Sequence, residues 1–412
     1  MTGSGLAAAV RRAALGIAAG AALLATVGTG AIAADDAALR TALRGTLQSY
    51  LDAHRSDEGI SGISAFVSRS SGDPGLAAAV GTTLRGGRGG PMTRRTLVEI
   101  GSNTKAFTAA RLLQLEAEGR LDIDQTVGDW LPQYPAWAGV SIRRLLNMTS
   151  GIPTYSEAPR FMKAQAADMF RGYTPAELVA YAYPTRRHRL PPNSGWFYSN
   201  TNYILPGMIV EKAGRAPFAE QLREHVFRPL GMTETYYSDG PLPQRVRSRM
   251  SGGYFWNRAC SLYQPHCRKS QLAPLIGRNL QRADLTWAGA AGGIVSTPRD
   301  VAVWVRGLYG GAVVPPRQLR EMQRIVSQAT GDPIARTTAA DPRGFGLGLG
   351  QMYQPGIGRF WFYEGETLGW RTVYGWYPRR DLVIVVSLNS QPDEDHVGGV
   401  ITAIYDLLAA AE

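Results

Sequence analysis

The sequence predicts a mixed α/β protein of the α+β type, in which one sheet is assembled from both ends of the chain around an inserted, mainly helical region. Apolar residues alternate from Ile63 to Val67, a turn-rich segment covers 71–75, and residues 76–80 return as the second strand of a hairpin. Residues 382–388 are continuously apolar, which is typical of a central strand covered on both faces. Helix signals dominate between these ends, so the helices are expected to form an insertion.

Local signals place further helices and strands along the chain. A leucine at every fourth position from Leu39 to Leu51 predicts a first helix of about 19 residues with one apolar stripe. Thr174, Pro175 and Glu177 form a capping box that begins another helix. The other expected elements are helices over 200–214, 218–228, 298–310 and 401–408, and strands over 345–349, 360–363 and 372–377.

The first 33 residues have the form of a signal peptide. Arg11 and Arg12 precede an uncharged stretch that ends in the small-x-small pattern Ala31-Ile32-Ala33. This leader predicts an exported protein, periplasmic or secreted. An uncleaved N-terminal membrane anchor is the alternative, because an apolar stretch of about 20 residues is long enough to span a bilayer.

The expected domain organisation follows from the order of strands and helices. Residues 1–33 form the signal peptide, segments 34–110 and 285–412 form a sheet-containing α/β domain, and residues 111–284 form the mainly helical inserted domain.

Charge and composition exclude several classes of function. The net charge is +11, yet only four of the 44 cationic residues are lysine and the arginines are scattered, without the basic stripe of a nucleic-acid-binding module. We therefore expect no nucleic-acid partner, although weak association with an anionic cell envelope is compatible with the charge. The chain also contains no Gly-x-Ser-x-Gly elbow and no His-Glu-x-x-His helix.

Cysteine and histidine usage points away from a metal site. Cys260 and Cys267 lie six residues apart in a loop-like segment, where an oxidising compartment favours one local disulfide over two free thiols. Two cysteines and the nearby His266 do not make a zinc ligand set. The five histidines show no partner pattern and are expected at the surface. We expect no metal and no organic cofactor.

The segment Ser102-Asn103-Thr104-Lys105 carries the first candidate chemistry. It begins a helix after the strand-like residues 97–101, and a serine and a lysine three positions apart share one helical face. A lysine activates a serine only when burial or a neighbouring cation lowers its pKa. The alternative is a capping serine with a surface lysine.

A second candidate group lies about one hundred residues further on, in Tyr198-Ser199-Asn200. A phenol beside a lysine can relay protons, and an asparagine amide offers both a donor and an acceptor to a substrate. The alternative is an aromatic packing residue before a helix.

Together these motifs resemble the serine β-lactamase and penicillin-binding protein superfamily, in particular its class C β-lactamase, DD-carboxypeptidase and esterase branch. The likeness covers residues 60–390 and includes Ser141–Gly151, Phe227–Thr233 and Ala290–Thr297. It implies a β-lactamase/transpeptidase-like fold with an antiparallel sheet and flanking helices.

The resemblance also implies an acyl-enzyme mechanism and assigns roles within it. Ser102 would attack a carbonyl group, Lys105 and Tyr198 would transfer the proton, and Asn200 would hold the substrate amide. Trp287 matches a position at the cleft of the family. The backbone amides of Ser102 and Glu366 would form the oxyanion hole.

The third motif of that family, Lys-Thr-Gly or His-x-Gly, falls on Tyr363-Glu364-Gly365, and here the sequence departs from the pattern. These residues are still expected to bind substrate, but a glutamate would repel the carboxylate that the usual motif attracts. The sequence therefore predicts an exported serine hydrolase that acts on a small-molecule or peptide substrate through an amide, peptide or ester bond. The alternatives are a carboxylesterase with little β-lactam turnover and a non-catalytic penicillin-binding-like protein.

Overall fold

The computed structural model describes residues 36–186, 193–256 and 271–411. The expected signal peptide and the pair Cys260 and Cys267 lie outside the described residues, and both stay predictions. Within these three ranges, no helix combines the length and the apolar character that a membrane crossing needs.

Thirteen helices occur in the described part of the chain. The first, α1, covers residues 36–54 and buries the predicted leucine stripe, with Leu47 and Leu51 fully buried. The others are α2 (Thr104–Ala117), α3 (Val127–Trp130), α4 (Ile142–Leu146), α5 (Pro159–Ala167), α6 (Pro175–Ala182), α7 (Thr201–Gly214), α8 (Phe218–Leu222), α9 (Gln244–Arg247), α10 (Gly289–Gly292), α11 (Pro298–Tyr309), α12 (Pro316–Met322) and α13 (Val397–Ala410). The predicted capping box of α6 is present, with the Glu177 amide donating to Thr174 Oγ1.

The strands of the described residues form one large sheet and two small ones. They are β1 (Gly62–Ser68), β2 (Leu76–Gly81), β3 (Val98–Glu99), β4 (Tyr236–Tyr237), β5 (Tyr254–Trp256), β6 (Ile294–Ser296), β7 (Ile325–Ser327), β8 (Pro333–Ile334), β9 (Arg343–Phe345), β10 (Gly350–Gln354), β11 (Gly358–Glu366), β12 (Arg371–Tyr377), β13 (Leu382–Leu388) and β14 (Ser390–Pro392). The large sheet has the order β2-β1-β13-β12-β11-β10-β9-β7-β8, and all its pairings are antiparallel. The predicted fold class is therefore confirmed, with strands from both ends of the chain in one sheet.

The continuously apolar strand β13 is central, as its sequence predicts. It pairs with β1 on one side and β12 on the other, and all seven of its residues are buried. On one face of the sheet, Ile384 and Val386 share a core with α1 and α13. On the other face, Val383 and Val385 share a larger core with α2 and α11. Helices therefore cover both faces of the sheet, and α2 approaches it from the second face.

The predicted strand over residues 345–349 is wrong. β9 ends at Phe345 and β10 begins at Gly350, and between them the Gly346 amide donates to the Leu349 carbonyl at 2.7 Å. Gly348 has φ = 77°, a conformation that glycine adopts without strain, and a Cβ there would lie 3.0 Å from the Lys105 carbonyl oxygen. The alternating apolar residues therefore belong to a turn packed against α2.

The histidines show no partner pattern in the sequence, yet the fold gives partners to two of them. His54 Nδ1 lies 3.0 Å from an Asp57 carboxylate oxygen, and His396 Nδ1 lies 3.1 Å from Glu58 Oε1. The two imidazoles stack with their centroids 4.4 Å apart. This pair joins the end of α1 to the start of α13, a contact that no local sequence pattern indicates.

The last residues of β11 pack against the turn that begins α2. β10 pairs with β11 only as far as Phe362, so residues 363–366 have β12 on one side. Over the face of β11 to which a Gly365 side chain would point, Asn103 Nδ2 crosses Gly365 and donates to the Thr372 carbonyl of β12 at 2.8 Å. Gly365 leaves room for this crossing, because a Cβ would lie 2.6 Å from Asn103 Nδ2 and 2.0 Å from the Ile100 carbonyl oxygen.

Gly365→Ala is expected to lower the free energy of unfolding by about 1–3 kcal/mol, because the added methyl group must push the turn away from the strand. Urea unfolding measures the change. Gly399→Ala is the matched control, since Gly399 is exposed in α13 and no atom lies within 4 Å of its added Cβ. That variant should be as stable as the parent or slightly more stable. Equal stabilities of the two variants would contradict the close contact of strand and turn.

Candidate active site

Ser102 lies in a short 3₁₀ turn, Gly101–Asn103, at the start of α2. The Asn103 side chain anchors this turn by donating to the carbonyls of Ile100 and Thr372, both at 2.8 Å. Gly101 has φ = 50° and lies flat against the Glu366 peptide, where a Cβ would come within 2.5 Å of the carbonyl oxygen and 2.7 Å of the nitrogen. The backbone beside Ser102 and the backbone of Glu366, the two predicted parts of an oxyanion hole, are therefore neighbours.

The Lys105 amine lies next to the Ser102 hydroxyl. Its Nζ is 2.8 Å from Ser102 Oγ, 2.8 Å from Asn200 Oδ1 and 2.9 Å from the carbonyl oxygen of Ala291. The Lys105 side chain is fully buried. Of the two open interpretations of the Ser-x-x-Lys motif, the surface lysine is therefore excluded.

Burial holds the pKa of Lys105 well below its usual value. In the neutral form an amine has two N–H donors and one lone pair. The oxygens of Asn200 and Ala291 only accept hydrogen bonds from it, so they take the two donors and leave the lone pair for the Ser102 hydroxyl. The arrangement is therefore suited to removing a proton from Ser102.

Tyr198 approaches the same hydroxyl from another side. Its OH group donates to Ser102 Oγ at 2.6 Å, and its ring centroid lies 4.7 Å from Lys105 Nζ. The loop that carries Tyr198 is held by Met148, which accepts from the Phe197 amide through its carbonyl at 3.0 Å and from the Ser199 amide through Sδ at 3.4 Å. Met148 has φ = 66°, a strained conformation for a side chain of this size. The strained Met148 backbone thus belongs to the residue that holds both neighbours of Tyr198 in place.

The Asn200 side chain is engaged at both ends. Its Oδ1 accepts from Lys105, and its Nδ2 donates to Ser156 Oγ at 2.9 Å. Its backbone amide donates to Thr154 Oγ1 at 3.0 Å. Asn200 therefore orients Lys105, and its amide keeps a second lone pair on Oδ1 and a second N–H on Nδ2 for the predicted contact with a substrate amide.

The third-motif residues point to opposite faces of β11. Tyr363 is buried on the face of α2, and burial, together with nearby Tyr198, raises its pKa well above the usual value. Glu364 and Glu366 point to the other face, where Glu366 accepts from Gln391 Nε2 at 3.1 Å. Burial and the neighbouring Asp395 raise the pKa of Glu364 well above the usual value. The Lys-Thr-Gly segment of the family is thus replaced by a phenol on one face and carboxyl groups on the other.

Trp287 is partly buried against the main core, 6.5 Å from Phe161 between ring centroids, and its carbonyl oxygen accepts from the Tyr155 hydroxyl at 2.6 Å.

Sequence reasoning did not identify Ser156, the Ala291 carbonyl or Tyr203 as parts of the site. The Tyr203 ring centroid lies 5.6 Å from Lys105 Nζ. Ala291 lies in Ala290–Thr297, one of the segments that carry the family likeness, and that segment therefore indicated a part of the site. Ser156 has no comparable signal, because only the fold brings it to Asn200.

A family model described as Beta-lactamase matches residues 44–408. Penicillin-binding protein 4* of Bacillus subtilis (strain 168) is 26% identical over 324 residues, 77% of this chain and 66% of that protein, so the matched region is just under two thirds of that relative. A D-stereospecific amidohydrolase from Streptomyces sp. superposes with a TM-score of 0.69 at 27% identity, covering 88% of this chain and 98% of that one.

The D-amino acid amidase from Ochrobactrum anthropi SV3 superposes with a TM-score of 0.73 at 25% identity, covering 91% of this chain and 99% of that chain. These matches confirm the family resemblance that the motifs indicate. The chain belongs to the β-lactamase family, the fold family that it shares with penicillin-binding proteins and D-amino acid amidases.

Proposed function

We propose that this chain is an exported serine hydrolase that cleaves an amide, peptide or ester bond through an acyl intermediate on Ser102. The observation that carries the proposal is the position of Ser102 Oγ, which lies 2.8 Å from the buried Lys105 amine and 2.6 Å from the Tyr198 hydroxyl. A serine hydroxyl with a base and a second proton carrier at hydrogen-bond distance is the arrangement that nucleophilic catalysis needs.

In the acylation step, Ser102 Oγ forms a bond to the substrate carbonyl carbon while its proton passes to the neutral Lys105 amine. The carbonyl oxygen becomes an oxyanion, for which the backbone amides of Ser102 and Glu366 are the proposed donors. Such donors contribute on the order of 3 kcal/mol each to transition-state stabilisation in other hydrolases. The proximity of Gly101 to the Glu366 peptide supports this assignment.

When the tetrahedral intermediate collapses, the bond to the leaving group breaks and that group needs a proton. The Tyr198 hydroxyl is the proposed donor, and the Lys105 ammonium, which lies beside the Tyr198 ring, then returns a proton to the tyrosine oxygen. A water molecule then attacks the carbonyl carbon of the acyl-serine ester while Lys105 takes a proton from that water. The bond between the carbon and Ser102 Oγ breaks, the proton passes from Lys105 to Ser102 Oγ, and the carboxylic acid product leaves.

The proposed substrate class is a small amide, ester or peptide. The relatives named above support an amide bond, since their names describe an amidohydrolase and an amidase of D-amino acids. The partly exposed Ser102 and Tyr198 leave the reacting atoms open to a small molecule. The proposal involves no metal and no organic cofactor, and export rests on the leader in residues 1–33.

Ser102→Ala should abolish covalent labelling by a fluorophosphonate probe, because no other hydroxyl has this pair of neighbours among the described residues. Intact-mass spectrometry detects the adduct, and peptide mapping locates it. Ser248→Ala is the matched control, since Ser248 is an exposed serine that is distant in sequence from Ser102. Labelling that persists in Ser102→Ala contradicts the proposal. A parent protein that resists a broad panel of acylating probes would favour the non-catalytic, penicillin-binding-like alternative.

The labelling rate should reach its plateau at a pH well below 10.5, because burial keeps Lys105 neutral in conditions where an exposed lysine is charged. Lys105→Met should reduce the rate by about 10²–10⁴-fold at the plateau, since the proton acceptor is lost. Lys212→Met is the control, because Lys212 is exposed and bonds only the Trp130 carbonyl. An acidic limb of the profile centred near 10.5, or an unaffected Lys105→Met, would show that Lys105 is not the base.

A second, narrower candidate is carboxylesterase-type activity with little β-lactam turnover. The observation that favours it is the replacement of the usual cation of the third motif by Tyr363, which leaves that position without a positive charge to attract a substrate carboxylate. We expect a neutral p-nitrophenyl ester to be hydrolysed with a higher kcat/KM than nitrocefin, which carries a carboxylate. Fast nitrocefin hydrolysis without esterase activity would rule out this candidate and leave the broader proposal intact.

A further inference from the structure

The phenol of Tyr363 lies near the reacting groups but takes no part in the proposed acylation steps. Tyr363 is only 4% exposed, and its side chain belongs to the main core on the α2 face of the sheet. Its hydroxyl oxygen is buried and has no hydrogen-bond partner among the described residues. A buried hydroxyl without a partner costs free energy in the folded protein, so a site that retains one has a reason for it.

Ring contacts hold Tyr363 on the side of the site where Tyr198 lies. The Tyr363 ring packs against Phe345, with the centroids 5.9 Å apart. Trp196 contacts both Phe345, at 5.7 Å, and Tyr198, at 6.3 Å. The four rings therefore form one aromatic group, which joins β11 to the loop that carries Tyr198.

Of the two phenols, Tyr363 is the one that keeps its proton. Burial raises the pKa of Tyr363 well above the usual value, and the nearby Tyr198 hydroxyl raises it further, because a second phenolate beside a first would be repelled. Tyr203 is another neighbouring phenol, but its hydroxyl already donates to the Leu146 carbonyl at 2.6 Å. Tyr363 is therefore the neutral donor beside Tyr198 whose proton has no acceptor.

The need for such a donor arises during the reaction. In the resting site the Tyr198 hydroxyl donates to Ser102 Oγ at 2.6 Å. When Tyr198 gives its proton to the leaving group, its oxygen becomes a phenolate. A hydrogen bond to an anionic oxygen is roughly twice as strong as one between neutral groups. A hydrogen bond from Tyr363 is therefore strongest when this charge develops, which is the condition for lowering a barrier.

We propose that the Tyr363 hydroxyl donates a hydrogen bond to the Tyr198 oxygen as Tyr198 protonates the leaving group, and that it makes Tyr198 a stronger acid. The O–H bond of Tyr198 breaks and its proton bonds to the leaving group, while the Tyr363 proton stays on its own oxygen. Tyr363 is a positioning residue, because it acts through Tyr198. This inference rests on the proposed function and adds a residue to its leaving-group step.

Tyr363→Phe removes the hydroxyl and keeps the ring. Because the lost oxygen has no partner, the variant should be as stable towards urea as the parent or slightly more stable. Tyr374→Phe is the matched control, since Tyr374 lies opposite Tyr363 on β12, is fully buried and also has a hydroxyl without a partner. The two variants therefore make the same chemical change on one sheet face.

The kinetic test varies only the leaving group. The p-nitrophenyl, phenyl and trifluoroethyl esters of acetic acid all form the same acetyl-serine, but p-nitrophenolate leaves as a stable anion whereas trifluoroethoxide needs a proton. In Tyr363→Phe we expect kcat/KM to fall about 10- to 100-fold for the trifluoroethyl ester and less than about twofold for the p-nitrophenyl ester, because only the first depends on a charge-assisted hydrogen bond. Tyr374→Phe should match the parent on all three. An equal loss on all three esters, or no loss on any, would overturn the proposal.

A double variant tests whether Tyr363 acts through Tyr198. Tyr198→Phe should show the same dependence on the leaving group, with a larger loss, because the acid itself is removed. Adding Tyr363→Phe to Tyr198→Phe should then cause no further loss on the trifluoroethyl ester, since the hydrogen bond has no acceptor left. Losses that multiply in the double variant would show an independent role of Tyr363 and overturn the proposal.

Fluorophosphonate labelling separates this inference from the proposed function. Fluoride leaves as an anion, so Tyr363→Phe should label at the parent rate, and slower labelling would count against the inference. If the parent neither labels at Ser102 nor hydrolyses any of the esters, the proposed function falls and the role of Tyr363 falls with it. If labelling and hydrolysis both require Ser102 but Tyr363→Phe affects every leaving group equally, only the role of Tyr363 falls.

Discussion

The site depends on keeping one amine out of water. Lys105 is fully buried, and its Nζ contacts Ser102, Asn200 and the Ala291 carbonyl while the rings of Tyr198 and Tyr203 cover it. A buried ammonium group is costly unless it is well compensated, so the amine is shifted towards its neutral form. The surrounding helices, strands and loops exclude water from Lys105 and leave Ser102 partly exposed to solvent.

Local sequence patterns predict most of the fold. The leucine repeat of α1, the hairpin of β1 and β2, the capping box of α6 and the apolar run of β13 each depend on residues close together in sequence, and each is present. The Ser102–Lys105 spacing is of the same kind. The turn at 346–349 is the exception, because its alternating apolar residues mimic a strand and only packing against α2 distinguishes the two.

Features that depend on distant residues lie beyond such patterns. The stacking of His54 on His396, the proximity of Asp395 to Glu364 and Glu366, and the hydrogen bond from Asn200 to Ser156 each join segments that have no common periodicity. Only the family resemblance predicts the contact between Tyr198 and Ser102, because spacing along the chain does not determine contacts between residues 96 positions apart. Glu364 shows the limit of that resemblance, because its departure from the motif was visible while its neighbour Asp395 was not.

The sequence distances within the site have a consequence for the newly made protein. Ser102 and Lys105 are close neighbours, but Asn200 lies 95 positions from Lys105 and Ala291 lies 186 positions away. Until these segments have come together, the lysine remains hydrated and protonated, and the serine is an ordinary alcohol. A nascent or unfolded polypeptide therefore lacks the buried amine beside the hydroxyl, and the proposed reactivity of Ser102 requires the finished tertiary structure.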